Sequence, residues 1–213
     1  MAQVVQMTFN PFQENTYLVY DETGECVIFD PGCFEAHEKQ ALRKKIEELN
    51  LRPARLINTH CHLDHVFGNK FVAETYQLPL EIHALEAQVL EMVPQVCQMY
   101  GLPIPEESPK PGKFLKEGET ITFGNTVLKM LFTPGHSPGS LSFYCAEDKF
   151  VIAGDVLFYG SIGRTDLPGG DHETLINAIK TQLLTLGDDI TVHPGHGPAT
   201  RMGYERKNNP FLN

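Results

Sequence analysis

The sequence predicts a mixed α/β fold, and three observations carry that expectation. Short runs of β-branched, aromatic and aliphatic residues end in Gly- or Pro-rich corners, helical stripes follow groups of these runs, and the order strands-then-helix occurs twice along the chain. In the first half, Val4 to Phe9, Thr16 to Tyr20 and Glu25 to Phe29 read as strands. Leu42, Ile46 and Leu49 then fall on one helical face before Asn50, and Leu56-Ile57 reads as a buried strand end. In the second half, Ile121 to Phe123, Val127 to Phe132, Leu141 to Tyr144 and Phe150 to Ile152 read as strands. Asp171 is placed to cap a helix whose Leu175, Ile179, Leu183 and Leu186 form one stripe ending at Gly187. Met92 to Lys113 between the halves is rich in Pro, Met and Glu, and reads either as a substrate-covering loop or as a surface connection.

Directly after Leu56-Ile57 comes Thr59-His60-Cys61-His62-Leu63-Asp64-His65, three imidazoles and a carboxylate in six consecutive positions. Neutral imidazole and carboxylate oxygen are the donors that Zn²⁺ and Fe²⁺ accept, and such a density exceeds what hydrogen bonding alone would require. His60, His62 and Asp64 alternate with the period of extended chain, so the run is expected to be a loop. A helical zinc site would space its two histidines four residues apart. Three later corners each follow a strand-like run and hold one donor: His136 in Thr133-Pro134-Gly135-His136, Asp155 in Ala153-Gly154-Asp155, and His196 in His193-Pro194-Gly195-His196-Gly197. Glycine and proline corners fix a side chain at one angle without regular structure beneath it, which suits a metal site. His193 is read as a strand-end residue, because His196 stands between two glycines. His37, His83 and His172 have no donor partners nearby in the sequence.

Composition narrows the class of function. A formal charge of -10 argues against nucleic-acid phosphate as the main partner. The 213 residues, 41% hydrophobic with 13 Phe and no Trp, are enough for a sizeable core. Donors that run from His60 to His196 with no low-complexity linker favour a single domain over residues 1–213. Met1-Ala2-Gln3-Val4-Val5 lacks a basic and apolar leader pattern, no apolar run approaches a membrane span, and five irregularly spaced cysteines suit reduced thiols. The expectation is a cytoplasmic protein without a membrane partner.

The set His60, His62, Asp64, His65, His136, Asp155 and His196 resembles the metallo-β-lactamase superfamily, whose pattern is H-x-H-x-D-H, then H, D and H. Asn15-Thr16-Tyr17-Leu18-Val19 and Val27-Ile28-Phe29-Asp30-Pro31-Gly32 look like that family's first strands and first turn, so the resemblance covers nearly the whole chain. It implies an α/β four-layer αβ/βα sandwich binding two divalent metal ions, with Zn²⁺ the first expectation and Fe²⁺ or a mixed Zn/Fe pair the alternative. On the same resemblance His60, His62 and His136 hold one ion and Asp64, His65 and His196 the other. Asp155 bridges them, and Asp64 and Asp155 serve the catalysis. Asp30 is a candidate to receive an N–H from a ligating histidine or, alternatively, to cap its own turn. Tyr159 and Arg164, close behind Asp155, are candidate substrate contacts, with Arg164 pairing to Asp166 as the competing reading. Cys61 is expected to point away from the donors and is not read as a nucleophile.

Gly160-Ser161-Ile162-Gly163-Arg164-Thr165-Asp166 is similar to the short glyoxalase II-like hydrolases and to persulfide dioxygenases. The first resemblance implies hydrolysis of a small acyl thioester such as S-D-lactoylglutathione. The second implies an iron site of His60, His136 and Asp155. Only a short segment follows His196, where full-length glyoxalase II enzymes carry a helical domain that supplies much of the glutathione contact, so the substrate expectation stays at the level of thioester.

Overall fold

The computed structural model describes residues 1–103 and 105–212. Two six-stranded sheets carry the chain, one in each of two compact units. The first unit comprises residues 1–115 together with Thr122–Thr126. It opens with β1 (Gln3–Phe9), β2 (Glu14–Tyr20) and β3 (Glu25–Phe29), paired antiparallel in register Val5 to Leu18 and Leu18 to Ile28. The turn before β2 places Asn10 and Gln13 at positive φ. Helix α1 (Ala36–Glu48) then crosses to β4 (Arg52–Ile57), which lies parallel to β3. Its start is a capping box between Glu35 and Glu38, and its buried face is Leu42 and Ile46. Leu49, expected on that face, is the exposed C-cap instead.

After β4 come α2 (Leu63–Val66), α3 (Asn69–Tyr76), β5 (Leu80–His83), α4 (Glu86–Met99) and β6 (Pro111–Leu115). The sheet order is β1-β2-β3-β4-β5-β6. Leu18, Ile28, Leu56, Leu80 and Ile82 form its core against Leu42, Val72, Leu90 and Val93 of the helices. The stretch expected to be irregular from Met92 to Lys113 is helical as far as Met99 and strand from Pro111, so the irregular part shortens to residues 100–110, of which 104 lies outside the described residues. Pro94 hid the helix from pattern reading, yet Leu90, Val93 and Cys97 bury one face across it. Residues 105–111 run past α4 over a cavity of about 180 Å³ lined by Val66, Leu90, Val93 and Pro94.

The second unit comprises residues 116–121 and 127–213. Strands β7 (Thr120–Phe123), β8 (Thr126–Phe132), β9 (Leu141–Cys145) and β10 (Phe150–Gly154) precede a small hairpin of β11 (Leu157–Phe158) and β12 (Ser161–Ile162). Helix α5 (His172–Ala178) continues into a π-helical turn, Ile179–Leu183, and then come β13 (Thr191–Pro194), β14 (Thr200–Arg201) and α6 (Met202–Asn208). The sheet order is β14-β13-β10-β9-β8-β7, with β10 and β13 parallel. Asp171 caps α5 as expected, its carboxylate accepting the Thr174 N–H at 2.8 Å. Leu175, Ile179 and Leu183 are buried against Val151, Ala153 and Val192. The tip of the β7–β8 hairpin, Thr122–Thr126, is tied within the first unit: Asp21 accepts from Asn125 N at 2.6 Å and from Thr126 Oγ1 at 3.0 Å.

Candidate metal-binding site

In the first unit, β4 ends at Ile57 and the chain turns through Asn58 and Thr59 into the histidine run. Asp30 governs that turn. Its Oδ1 accepts Thr59 N–H at 2.7 Å and its Oδ2 accepts Thr59 Oγ1–H at 2.6 Å. The same Oδ2 lies 3.1 Å from His65 Nδ1. Asp30 thus faces a histidine of the run and holds the Thr59 backbone, where the alternative expectation had it cap its own turn. Asp30 sits at φ +46°, a left-handed conformation that Asp tolerates better than most residues.

The extended-loop expectation holds only as far as His62. Leu63–Val66 is a helical turn with all four residues buried, its Leu63 and Val66 joining the hydrophobic core of the first unit. That turn carries Asp64 and His65 inward as neighbours, with His65 Nε2 3.8 Å from Asp64 Oδ2. The three imidazoles cluster: ring centroids lie 4.8 Å apart for His60 and His62 and 4.1 Å for His60 and His65. His60 and His65 are fully buried. Asn58 Nδ2 donates to His65 O at 2.9 Å, and Asn10 Nδ2 donates to Asp64 O at 3.0 Å, so the backbone of the turn is fixed from two further elements.

In the second unit, the corner holding His136 is pressed against α5. A side chain at Gly135, which has φ +122°, would overlap the Leu175 backbone, and Gly135 O accepts the Asp171 N–H at 2.8 Å. The corner after β10 is joined to the corner after β13 by Gly195 N–H donating to Gly154 O at 2.8 Å. These contacts bring three donors together. Asp155 Oδ2 lies 3.5 Å from His136 Nε2 and 3.5 Å from His196 Nε2.

The donor chemistry fits divalent metal ions. His65 Nδ1 faces the Asp30 carboxylate, His136 Nδ1 lies 2.8 Å from the Arg164 carbonyl, and His60 Nδ1 lies 3.0 Å from Thr59 Oγ1. Using Nδ1 for an outer partner leaves Nε2 as the ligand atom, the arrangement usual at metal-bound histidines.

Other sequence candidates fall as follows. The Arg164 guanidinium forms a two-bond pair with Asp166, both bonds 2.7 Å, so its side chain meets the loop partner the sequence had offered as the alternative to substrate. Arg164 holds the Asp166 carboxyl down to about 2. Tyr159 is 54% exposed and stacks on Tyr204, with centroids 5.0 Å apart and rings 10° from parallel. Burial, with Glu86 and Asp30 adding to it, pushes the Cys61 thiol well above its ordinary value, and Cys61 N–H donates to Glu86 at 2.7 Å. A buried protonated thiol is a poor nucleophile. His193 lies in β13, where burial lowers its pKa to about 4.

Sequence reasoning passed over Glu14, Asn58 and the Arg164 carbonyl. Glu14 is wholly buried, 3.9 Å from His65 Nδ1, and burial pushes its carboxyl well up. A signal existed: Glu14-Asn15-Thr16 places three polar residues in succession at the start of a strand, and all three are buried. A backbone carbonyl leaves no signal in residue identity.

The model of the metallo-β-lactamase superfamily matches residues 9–196, and the chain belongs to that superfamily. Its fold is accordingly the metallo-β-lactamase fold, and the family defines a metallo-hydrolase that uses divalent metal ions. Among curated relatives it is similar to hydroxyacylglutathione hydrolase GloC of Haemophilus influenzae, 39% identical over 95% of this chain and 94% of that one. Among solved structures it is similar to BLEG-1 B3 metallo-beta-lactamase, at 37% identity and TM-score 0.91 over 99% of this chain and 100% of that one. It is also similar to TTHA1623 in a di-iron-bound form, at 41% identity and TM-score 0.88 over 98% and 100%.

Proposed function

We propose that the protein is a glyoxalase II-like thioesterase that hydrolyses small acyl thioesters of the S-D-lactoylglutathione type. On this reading residues 1–213 act as one domain. His60, His62 and His136 hold one divalent ion, Asp64, His65 and His196 hold the second, and Asp155 is shared. The observation that carries it is the position of Asp155, whose Oδ2 lies 3.5 Å from the Nε2 of His136 in one proposed donor set and 3.5 Å from that of His196 in the other, where it would serve both ions. When bound, two such ions lower the pKa of water from ~15.7 towards ~7 and draw charge from a carbonyl oxygen.

The chain's own residues do the remainder. Asp30 and the Arg164 carbonyl orient the imidazoles of His65 and His136, and Asp64 and Asp155 would help hold the ions that activate water. A thiolate leaves without a strong general acid, which matches a donor set of imidazoles and carboxylates and a Cys61 thiol buried away from use. Similarity to a hydroxyacylglutathione hydrolase over nearly the full chain supports the substrate class. Similarity to a di-iron protein supports Fe²⁺ alongside Zn²⁺ as the ion. A charge of -10 supports a small-molecule partner over nucleic acid.

The test offers purified, metal-loaded protein S-D-lactoylglutathione, a chromogenic β-lactam and glutathione persulfide, with oxygen consumption recorded throughout. Thioester cleavage without oxygen uptake is expected. Oxygen uptake with the persulfide and no cleavage of any acyl thioester overturns the proposal in favour of a dioxygenase, and β-lactam turnover alone overturns it in favour of a lactamase.

A further inference from the structure

Glu205 is a wholly buried carboxylate in α6, the last helix of the chain. Its oxygens accept the Gly160 N–H at 3.2 and 3.1 Å, the Thr200 Oγ1–H at 2.6 Å and the Asn209 side-chain N–H at 2.8 Å. Asn209 Nδ2 also donates to Ser161 O at 3.0 Å, so the helix grips the β11–β12 turn from two side chains one turn apart.

Two of the three partners of Glu205, Gly160 and Thr200, lead to His196. Gly160 is the tip of the hairpin whose Phe158 ring packs edge-on against the His196 imidazole, centroids 6.3 Å apart. Thr200 begins β14, four residues after His196, and pairs with Val192 of β13 on the other side of the same corner. The base of the hairpin is pinned as well: a side chain at Gly163 would overlap the Asp155 carbonyl. His196 itself lies in a glycine-flanked corner and is the least buried of the histidines in this unit's donor set, with 28% of its side chain exposed against 3% for His136.

We infer that Glu205 is a positioning residue for His196, tying the ring on one side of the imidazole and the strand on the other to a single carboxylate. This rests on the reading of His196 as a metal ligand. Three donors need an acceptor-only group. Gln at 205 would turn an amide N–H₂ against one of them, and Thr200→Val would remove one donor with little change of shape.

The experiment loads wild type, Glu205→Gln, Thr200→Val and Thr200→Ser with Zn²⁺ and titrates each with a chromogenic chelator, with folding followed by circular dichroism. Loss of a group bonded directly to a ligand costs roughly 10–100-fold in metal affinity, and for Glu205 and Thr200, one contact further out, the low end of that range applies. Glu205→Gln and Thr200→Val are therefore expected to release one of two ions roughly ten-fold more readily, while Thr200→Ser, which keeps the hydroxyl, retains both as wild type does. Folded Glu205→Gln and Thr200→Val proteins that keep both ions overturn the inference, as does equal loosening of both ions. Should Glu205→Gln fail to fold, the Thr200 pair decides, and an unfolded Thr200→Val protein would assign the network to global stability and overturn the inference too. Wild type that binds two ions but cleaves no thioester defeats the proposed function and leaves this inference standing. Thioester cleavage by wild type with unaltered metal retention in the variants defeats the inference alone.

Discussion

His65 turns its Nδ1 to the Asp30 carboxylate at 3.1 Å, and the same carboxylate holds Thr59 through both its N–H and its hydroxyl. One side chain from the end of β3 thus sets both the path of the loop leaving β4 and the ring orientation of a histidine further along it.

Asp30→Asn tests that double role. The amide keeps the size of the carboxylate but loses its charge and one acceptor, so metal retention should fall roughly 10–100-fold and stability by about 1–3 kcal/mol for the unsatisfied partner at Thr59. Chelator competition and urea denaturation read the two separately. Unchanged retention alongside lowered stability would limit Asp30 to the loop.

Asp155→Ala and His172→Ala separate a donor from a bystander. His172 opens α5 on the exposed side of the chain, whereas Asp155 is buried against two imidazoles. Asp155→Ala should reduce thioester hydrolysis by more than the roughly hundred-fold upper cost of losing an outer-shell partner, with metal content reduced in parallel. His172→Ala should stay near wild type in both. Equal losses would displace the ligand assignment.

The histidine run was legible because its donors are adjacent in sequence and need no fold to be seen together. Strand positions were legible for the same local reason, since residues such as Val27, Ile28 and Phe29 have both the β-propensity and the corner that ends them. The sequence misled where burial won over a local rule: Leu63–Val66 is a wholly buried helical turn although its donors alternate, and α4 runs through Pro94 because its buried face outweighs a lost hydrogen bond. What it did not reveal, the Glu14 contact and the Arg164 carbonyl, are pairings distant in sequence that exist only once the fold is formed, and the Asn58 side chain closes a loop on a backbone carbonyl that leaves no signal in residue identity.

Half-buried His193 gives a pH signature. Its pKa is lowered from 6.5 to about 4 in the fold, so below pH 6.5 the unfolded chain takes up a proton that the folded chain refuses. The stability linked to it is complete above pH 6.5 and declines as pH falls towards 4, on the order of 2 kcal/mol by pH 4.5. The loss of unfolding free energy between pH 7 and pH 4.5 should be smaller in His193→Gln than in wild type. Parallel curves for the two proteins would exclude His193 as the source.

Arg164 and Asp166 form an exposed pair, and its removal should be felt locally. Arg164→Ala, Asp166→Ala and the double variant should lower the Tm by the same small amount, because either change alone breaks the contact. The sign with pH is that of a depressed carboxyl: the contribution is full above the ordinary value of 3.8 and is lost as pH falls towards about 2. A rise in KM for Arg164→Ala that Asp166→Ala does not share would assign the guanidinium to the substrate.

The Thr122–Thr126 strap, tied to Asp21, makes the first unit discontinuous in sequence. A gene cut after Leu115 would give a fragment in which Asp21 keeps its bonds from Thr23 but loses those from Asn125 and Thr126. Shuffling the halves of this protein with those of relatives therefore calls for a crossover beyond Thr126, so that the strap travels with the aspartate that receives it.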